Sequence, residues 1–438
     1  MVNSRSYLLL PLFLTVALNY GMAHSYGPAP RVTGAPGDDV RACTQCHAGT
    51  LNTGTGSVRI VLQSGNFYIP GIKQRVIVQV ADAAQQRWGF ELTARLNSDA
   101  AKAQAGDFTP VDNFTQVICE DAGAKPCLTG VSFIQNSSAG TRNGTKGGAS
   151  FQFDWTPPAT NAGPVTLYVA GNAANGNGSS AGDFIYTSSV QLTPVAAAPP
   201  VITSGNIVSS ATSVAGPMGA NSWVTVYGSG LSATTRSWLD SDFTNGGMPT
   251  SLDGVSVVLT AFGAPRRAYV GYISPTQVNF LLPSDVNVTT IQVQVKNAAG
   301  ITAQNPITTQ ANTAQLLTLD GKYGWAAHAD GSLIGKAAPN APAVPGETIS
   351  LYATGAGPTT PALIPGQLPA QAASLVTLPS VTIGGLAATV VSGTVVAGSG
   401  GVYQIVVQVP AAVLNGDQPV VVQLGTNSSS ATLITVQR

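Results

Sequence analysis

After residue 23 the chain has no apolar run approaching the ~18 residues that a membrane-spanning helix needs. Its hydrophobic content is divided instead into short runs rich in Val, Ile, Leu and Thr. In "VRIVL" (58–62) and "FQFDW" (151–155) apolar and polar residues alternate, as on strands with one packed and one solvated face. The runs are cut by 49 glycines and 29 prolines, a pattern that predicts an all-β protein built from sandwiches. Six strands are expected in the first part: "SVRIVLQ", "QRVIVQVA", "WGFELTARL", "ASFQFDWTPP", "GPVTLYVAGNA" and "GDFIYTSSVQL", the last ending at Leu192. The Pro/Ala-rich "TPVAAAPPVITSG" that follows marks the clearest boundary in the chain.

Beyond that boundary the sequence repeats itself. "WVTVYGSGL" from Trp223 matches "TISLYATGA" from Thr348. "TQVNFLLPSDV" from Thr276 matches "YQIVVQVPAAV" from Tyr403, and "TIQVQVKNAAG" from Thr290 matches "PVVVQLGTNSS" from Pro419. The offsets are all close to about 125 residues, the size of a whole module rather than of a solenoid unit. The expected organisation is a signal peptide over 1–23, a β-sandwich over 25–194, a linker over 195–204, and two further sandwich modules over 205–315 and 316–438.

The N-terminus predicts export. Arg5 precedes a short apolar stretch, "YLLLPLFLTVAL", and "GMA" ending at Ala23 is a plausible cleavage site. An uncleaved membrane anchor is the other reading of this stretch. All four cysteines, Cys43, Cys46, Cys119 and Cys127, lie in the first third, and an exported chain can oxidise them. Charged residues make up 9% of the chain and the two signs balance at 19 each, so no net field draws nucleic acid or an anionic membrane.

The stretch "CTQCH", Cys43 to His47, carries the most chemistry. Cys-x-x-Cys-His is the attachment pattern of a c-type haem, with two thiols for the vinyl groups and the imidazole for the iron. Against this, the flanks "GDDVRA" and "AGTLNTGTG" are polar, and no second axial ligand is evident: His328, Met218 and Met248 all lie beyond the linker. A disulfide between Cys43 and Cys46, or crossed pairing with Cys119 and Cys127, explains the same residues. Cys119 and Cys127 bracket the turn-forming "EDAGAKP" and are expected to bridge each other.

Other metal readings are thinner. Zinc would want a second ligand pair at comparable spacing. A copper site would need His24 as a free N-terminus together with His47. The loop "NGNGSSAGD" and the loop with Asp320 and Asp330 offer too few carboxylates for calcium and read as turns. "GSSAG" around Ser180 matches a nucleophile elbow only as a string, because a glycine-rich loop precedes it where a strand is required.

The stretches "TGAPGDDVRACTQCH", "RWGFELTA" and "WTPPATNAGPVTLYVAGNAANGNGSSAGD", in that order, resemble the reeler-like extracellular β-sandwich of the bacterial group called choice-of-anchor V. The second part is similar to a C-terminal domain with Ig-like (IPT/TIG-like) repeats, recurrent in secreted acidobacterial proteins of the Solibacter type. Its marks are "GNIVSSAT", "VTVYGSGL", "YISPTQVNFLLP", "PGETISLYATGAGP" and "GVYQIVVQVP". Neither resemblance implies a settled activity. Together these readings predict an exported, non-enzymatic surface or envelope protein that binds or scaffolds an unknown envelope polymer or surface protein, with no transmembrane span in the mature chain. The alternative is an extracytoplasmic electron-transfer protein with one covalent haem c at Cys43, Cys46 and His47.

Overall fold

The computed structural model describes residues 26–438 except 64, 128, 129, 287, 337 and 338. The expected export signal and His24 lie outside the described residues. The described chain is nearly all β, as the alternating runs predict, and its only helical pieces are 3₁₀ turns.

The N-terminal sandwich has ten strands: β1 (Ser57–Leu62), β2 (Phe67–Tyr68), β3 (Gln74–Asp82), β4 (Arg87–Leu96), β5 (Asp107–Pro110), β6 (Thr115–Cys119), β7 (Ser132–Asn136), β8 (Gly147–Thr156), β9 (Val165–Ala174) and β10 (Phe184–Pro194). One sheet runs β1-β3-β8-β5 and the other β2-β10-β9-β4-β7-β6. In the first sheet Val76 pairs with Phe153 and Val78 with Phe151. These residues turn inward against Phe90 and Leu92 of β4, and all six are buried. Phe90 lies tilted against Phe151 at 4.6 Å and Phe108 meets Phe153 edge-on at 5.8 Å. Aromatic pairs at these separations add specificity to the apolar burial that drives the two sheets together.

Strand β4 departs from simple alternation. Its outward residues Glu91, Thr93 and Arg95 are fully buried along with its inward ones. The cover is the chain before β1, which lies across the outer face of the second sheet. Val32 donates its backbone N–H to Glu91 Oε2 at 2.8 Å, and Arg95 Nη2 donates to Asp38 Oδ1 at 2.9 Å. Arg31 donates to Glu120 through Nε at 2.9 Å. Val32, Ala42, Cys43, Ala170 and Ile185 form a small second apolar cluster beneath this cover. The polar flank "GDDVRA" is therefore ordered, its Asp38 satisfied by Arg95 and by the Thr33 hydroxyl at 2.6 Å.

The chain crosses to the second part along 195–200, because a new strand, Val201–Ser209, already starts inside the stretch expected as linker. In the first C-terminal module that strand joins Trp223–Ser229, Gln277–Leu281, Tyr269–Ile273 and Arg236–Ser237. The facing sheet is built around Thr290–Asn297, Ser256–Ala261 and Asn305–Gln310. The second module repeats the pairings. Thr348–Thr354 pairs with Tyr403–Gln408 as Trp223–Ser229 does with Gln277–Leu281, and Ser380–Ile383 pairs with Gly416–Leu424 as Ser256–Ala261 does with Thr290–Asn297.

One feature differs. The second module's two layers form one continuous sheet, because Leu386–Val395 pairs with Ser380–Ile383 at its start and with Tyr403–Gln408 after it. A bulge between Val390 and Ser392 accompanies the bend, in keeping with the tendency of bulges to turn a strand.

The two C-terminal modules interlock. Trp223 donates from Nε1 to the carbonyl of Gly400 at 2.7 Å and from its backbone to Thr354 Oγ1 at 3.1 Å. Asn221 Nδ2 donates to the buried Tyr403 hydroxyl at 3.1 Å. Fewer groups join the N-terminal sandwich to the first module: Gln63 bonds the Ser241 hydroxyl, and Arg75 Nη1 donates to the Ser241 carbonyl at 3.0 Å.

A cavity built around Cys43, Cys46 and His47

The turn Ala42–Gln45 is a single 3₁₀ element in which Cys46 and His47 both return backbone hydrogen bonds to the Cys43 carbonyl. That winding places three chemically distinct side chains within one turn. All three line a single cavity, together with Pro28, Ala29 and Val32 of the covering segment and Asn172 of β9. The cavity offers about 130 Å³ to water-sized molecules, and its mouth is open to solvent.

Gly89 on β4 lies in its wall, and a side chain there would fill it. A Cβ at this position would stand 3.0 Å from Asn136 Oδ1 and 3.9 Å from Asn172 Cβ. The room above the strand exists because residue 89 has no side chain.

Cys43 is buried in the small apolar cluster, with Sγ facing the Val32 carbonyl at 3.9 Å. Burial pushes its thiol far above the ordinary range, and the nearby Glu91 and Cys46 add to the effect. Cys46 is half-buried, and both are free thiols. Glu91 is itself held toward the neutral acid, mainly by burial and also by the Asp38 charge, against the opposing pull of the Val32 N–H and Arg95.

His47 is the most constrained of the three. Its Nδ1 is 2.7 Å from Asp183 Oδ2, and the Asp183 side chain is only 2% exposed. Its Nε2 is 3.1 Å from Asn172 Nδ2. Asp183 and Asn172 were not legible as site residues: one follows a glycine-rich loop and the other sits in a strand. Only the "GNAANG…GD" stretch, in which both occur, hinted at them.

Cys119 and Cys127 are bonded to each other, with Cα atoms 5.3 Å apart. The pairing leaves Cys43 and Cys46 to the cavity. The Ser180 carbonyl accepts the Ala48 N–H at 2.9 Å, which ties the glycine loop to the residue after His47. His328 lies in the second C-terminal module, bonded to Glu347 and to the Ala341 carbonyl. Among the described residues no three His, Cys, Asp or Glu side chains stand together as a metal cage. Among those lining the cavity there is neither a second histidine nor a methionine.

The donor set suits a haem. Two thiols and a neighbouring imidazole open onto one cavity, and the imidazole's far nitrogen is engaged by a carboxylate, a usual arrangement behind a metal-bound histidine. Cys43 and Cys46 would hold the macrocycle, His47 would ligate its iron, and the group would supply one-electron and small-ligand chemistry. Among the described residues no helix is long and apolar enough to cross a membrane.

No protein-family model matches the chain, and no curated protein does. Solved structures with some likeness include a cohesin module from a Clostridium perfringens family 33 glycoside hydrolase. It is 14% identical, with a TM-score of 0.24, over 32% of this chain and 99% of that one. Domains D2 and D3 of the major pilin SpaD from Corynebacterium diphtheriae are 8% identical, with a TM-score of 0.21, over 56% of this chain and 83% of that one. At such TM-scores the description of the fold stands on the protein's own strands.

Proposed function

We propose that the protein is an exported, non-catalytic envelope protein whose N-terminal sandwich carries one covalently attached haem, with Cys43 and Cys46 as the attachment residues and His47 as the residue that would ligate its iron. The observation that carries this reading is that Cys43, Cys46 and His47 of "CTQCH" all open onto one cavity, with Gly89 in its wall and Asp183 holding His47. Cys43 and Cys46 would hold the group through thioether bonds, and the neutral thiols supply the hydrogens that such bonds need. The polar flank, an objection at the level of sequence, is folded over β4, where Asp38 pairs with Arg95. The disulfide and the "GMA" signal suit an oxidising compartment outside the cytoplasm.

The test is expression alongside haem-maturation machinery. The purified protein should give a pyridine haemochrome spectrum, and the peptide spanning Cys43 and Cys46 should keep the haem mass through acid extraction. Cys43→Ala and Cys46→Ala should each impair attachment. A colourless protein with Cys43 and Cys46 bridged would overturn the assignment.

A second reading is a binding or scaffolding protein without a cofactor, in which "CTQCH" is structural and an envelope polymer or surface protein is the partner. It is favoured by the burial of Cys43 in an apolar cluster and by the interlocked C-terminal modules, which carry half the chain and none of the cavity.

A further inference from the structure

We propose that Asp183 is a positioning residue: it fixes His47 as the tautomer with hydrogen on Nδ1, so that Nε2 offers its lone pair to whatever the cavity binds. The purpose rests on the haem reading above; the geometry does not.

The Asp183 contact sets the tautomer. Asn172 Nδ2 does not, since it lies 3.1 Å from Nε2 and 3.4 Å from Nδ1, over the ring rather than in line with either nitrogen. A carboxylate only accepts, so Asp183 Oδ2 at 2.7 Å requires hydrogen on Nδ1, and a neutral ring so held has a bare Nε2. A nitrogen with that lone pair is the form a metal ligand must take.

Asp183 is held by design of the loop rather than by chance. Its Oδ1 accepts the Asn175 N–H at 3.1 Å. Within the loop Asn175 Nδ2 donates to the Ala181 carbonyl at 3.1 Å, and Asn177 Oδ1 caps the Ser179 N–H at 2.8 Å. Gln85 Nε2 donates to the Gly182 carbonyl at 3.3 Å, and Ser180 receives Ala48. The loop is thus fastened to itself, to the turn before β4 and to the residue following His47.

Asn172 lies against the ring rather than on the Nε2 lone pair, and its buried Oδ1 has no hydrogen-bond partner. A group taking Nε2 therefore leaves the Asp183 contact in place. A buried carboxylate behind the ring also makes Nε2 a stronger donor.

The experiment begins without haem. In uniformly ¹⁵N-labelled protein at mildly alkaline pH, two-bond ¹H–¹⁵N correlations that vanish in His47→Gln should show Nδ1 protonated and Nε2 bare. Asp183→Ala should lose that pattern and Asp183→Glu should restore it in part, with the amide spectrum outside the site confirming the fold. Asp183→Asn, which keeps the shape, gives a second reading in haem-loaded protein: a more positive midpoint potential and a lower iron–histidine stretching frequency. A wild-type ring protonated on Nε2, or a tautomer indifferent to Asp183→Ala, would overturn the proposal. An intact tautomer in a protein that takes no haem would leave Asp183 in its role and overturn the haem reading alone.

Discussion

His47 and Asp183 stand 136 positions apart in the chain, yet Nδ1 and Oδ2 meet at 2.7 Å in a place where the carboxylate has almost no contact with water. The contact exists because β9 and β10 are antiparallel neighbours in the sheet that the CTQCH segment covers. The loop joining them returns to the mouth of the cavity.

The Cys119–Cys127 bridge should matter to the cavity as well as to its own loop. Glu120, inside the loop, holds Arg31 and also accepts the Val131 N–H at 3.1 Å. Replacing both cysteines by serine should cost about 2–3 kcal/mol through the freed loop and make the segment 31–47 more susceptible to proteolysis. Thermal unfolding with and without reductant checks the first effect, and mapped cleavage the second. An unchanged midpoint together with an uncut segment would count against the coupling.

The second C-terminal module should be more stable on the acid side of neutrality. Burial opposes charge on His328, but the hydrogen bonds to Glu347 and the Ala341 carbonyl, with the charges of Glu347 and Asp330, outweigh it and raise its pKa. A group whose pKa is higher folded than unfolded contributes fully below the unfolded value, near ~6.5 for histidine. That contribution fades as pH rises through the folded value. Denaturant midpoints should therefore fall between about pH 6 and about pH 8, and His328→Gln should flatten that part of the slope. An identical slope in the variant would assign the effect elsewhere.

Limited proteolysis should cut within 196–198. Val195 is pinned to the Tyr68 carbonyl at 2.8 Å, and the Ala198 carbonyl is held by Asn297 at 2.8 Å, so the exposed backbone between them is the accessible stretch. Two fragments should result, each unfolding on its own, since so few groups cross to Ser241. One cooperative transition for the whole chain, with no cut there, would refute this.

Trp223 should bind the two C-terminal modules into one unfolding unit. Its ring donates to Gly400, meets Trp238 edge-on at 5.3 Å, and lies over Gly271, where a Cβ would be 2.4 Å from it. Trp223→Ala should cost about 3–5 kcal/mol and split a single transition into two. Trp223→Phe should keep most of the packing and lose roughly 1 kcal/mol for the hydrogen bond. Calorimetry of a fragment from Val201 onward distinguishes the two variants.

Much of the fold was legible because alternation is a local signal. The six strands expected from β1 to β10 are present, with ends moved by a residue or two. The segment from β5 to β7 carried no clear period. β7 is buried along its whole length, and β5 and β6 are short. The burial of Glu91, Thr93 and Arg95 was not legible, since sequence patterning cannot reveal that another segment will lie over a strand. The site was half legible for the same reason. "CTQCH" is contiguous and shows itself, whereas Asp183, Asn172 and Gly89 join it only through sheet pairing.

The short crossing at 195–200 has a geometric consequence. Fully extended, such a stretch spans at most roughly 20 Å. When the Ser241 contacts are made, the cavity keeps one bearing relative to the interlocked modules. When they open, it sweeps a small volume around a fixed pivot, so a molecule held by the C-terminal half would meet it at high effective concentration without any direct joint between the two.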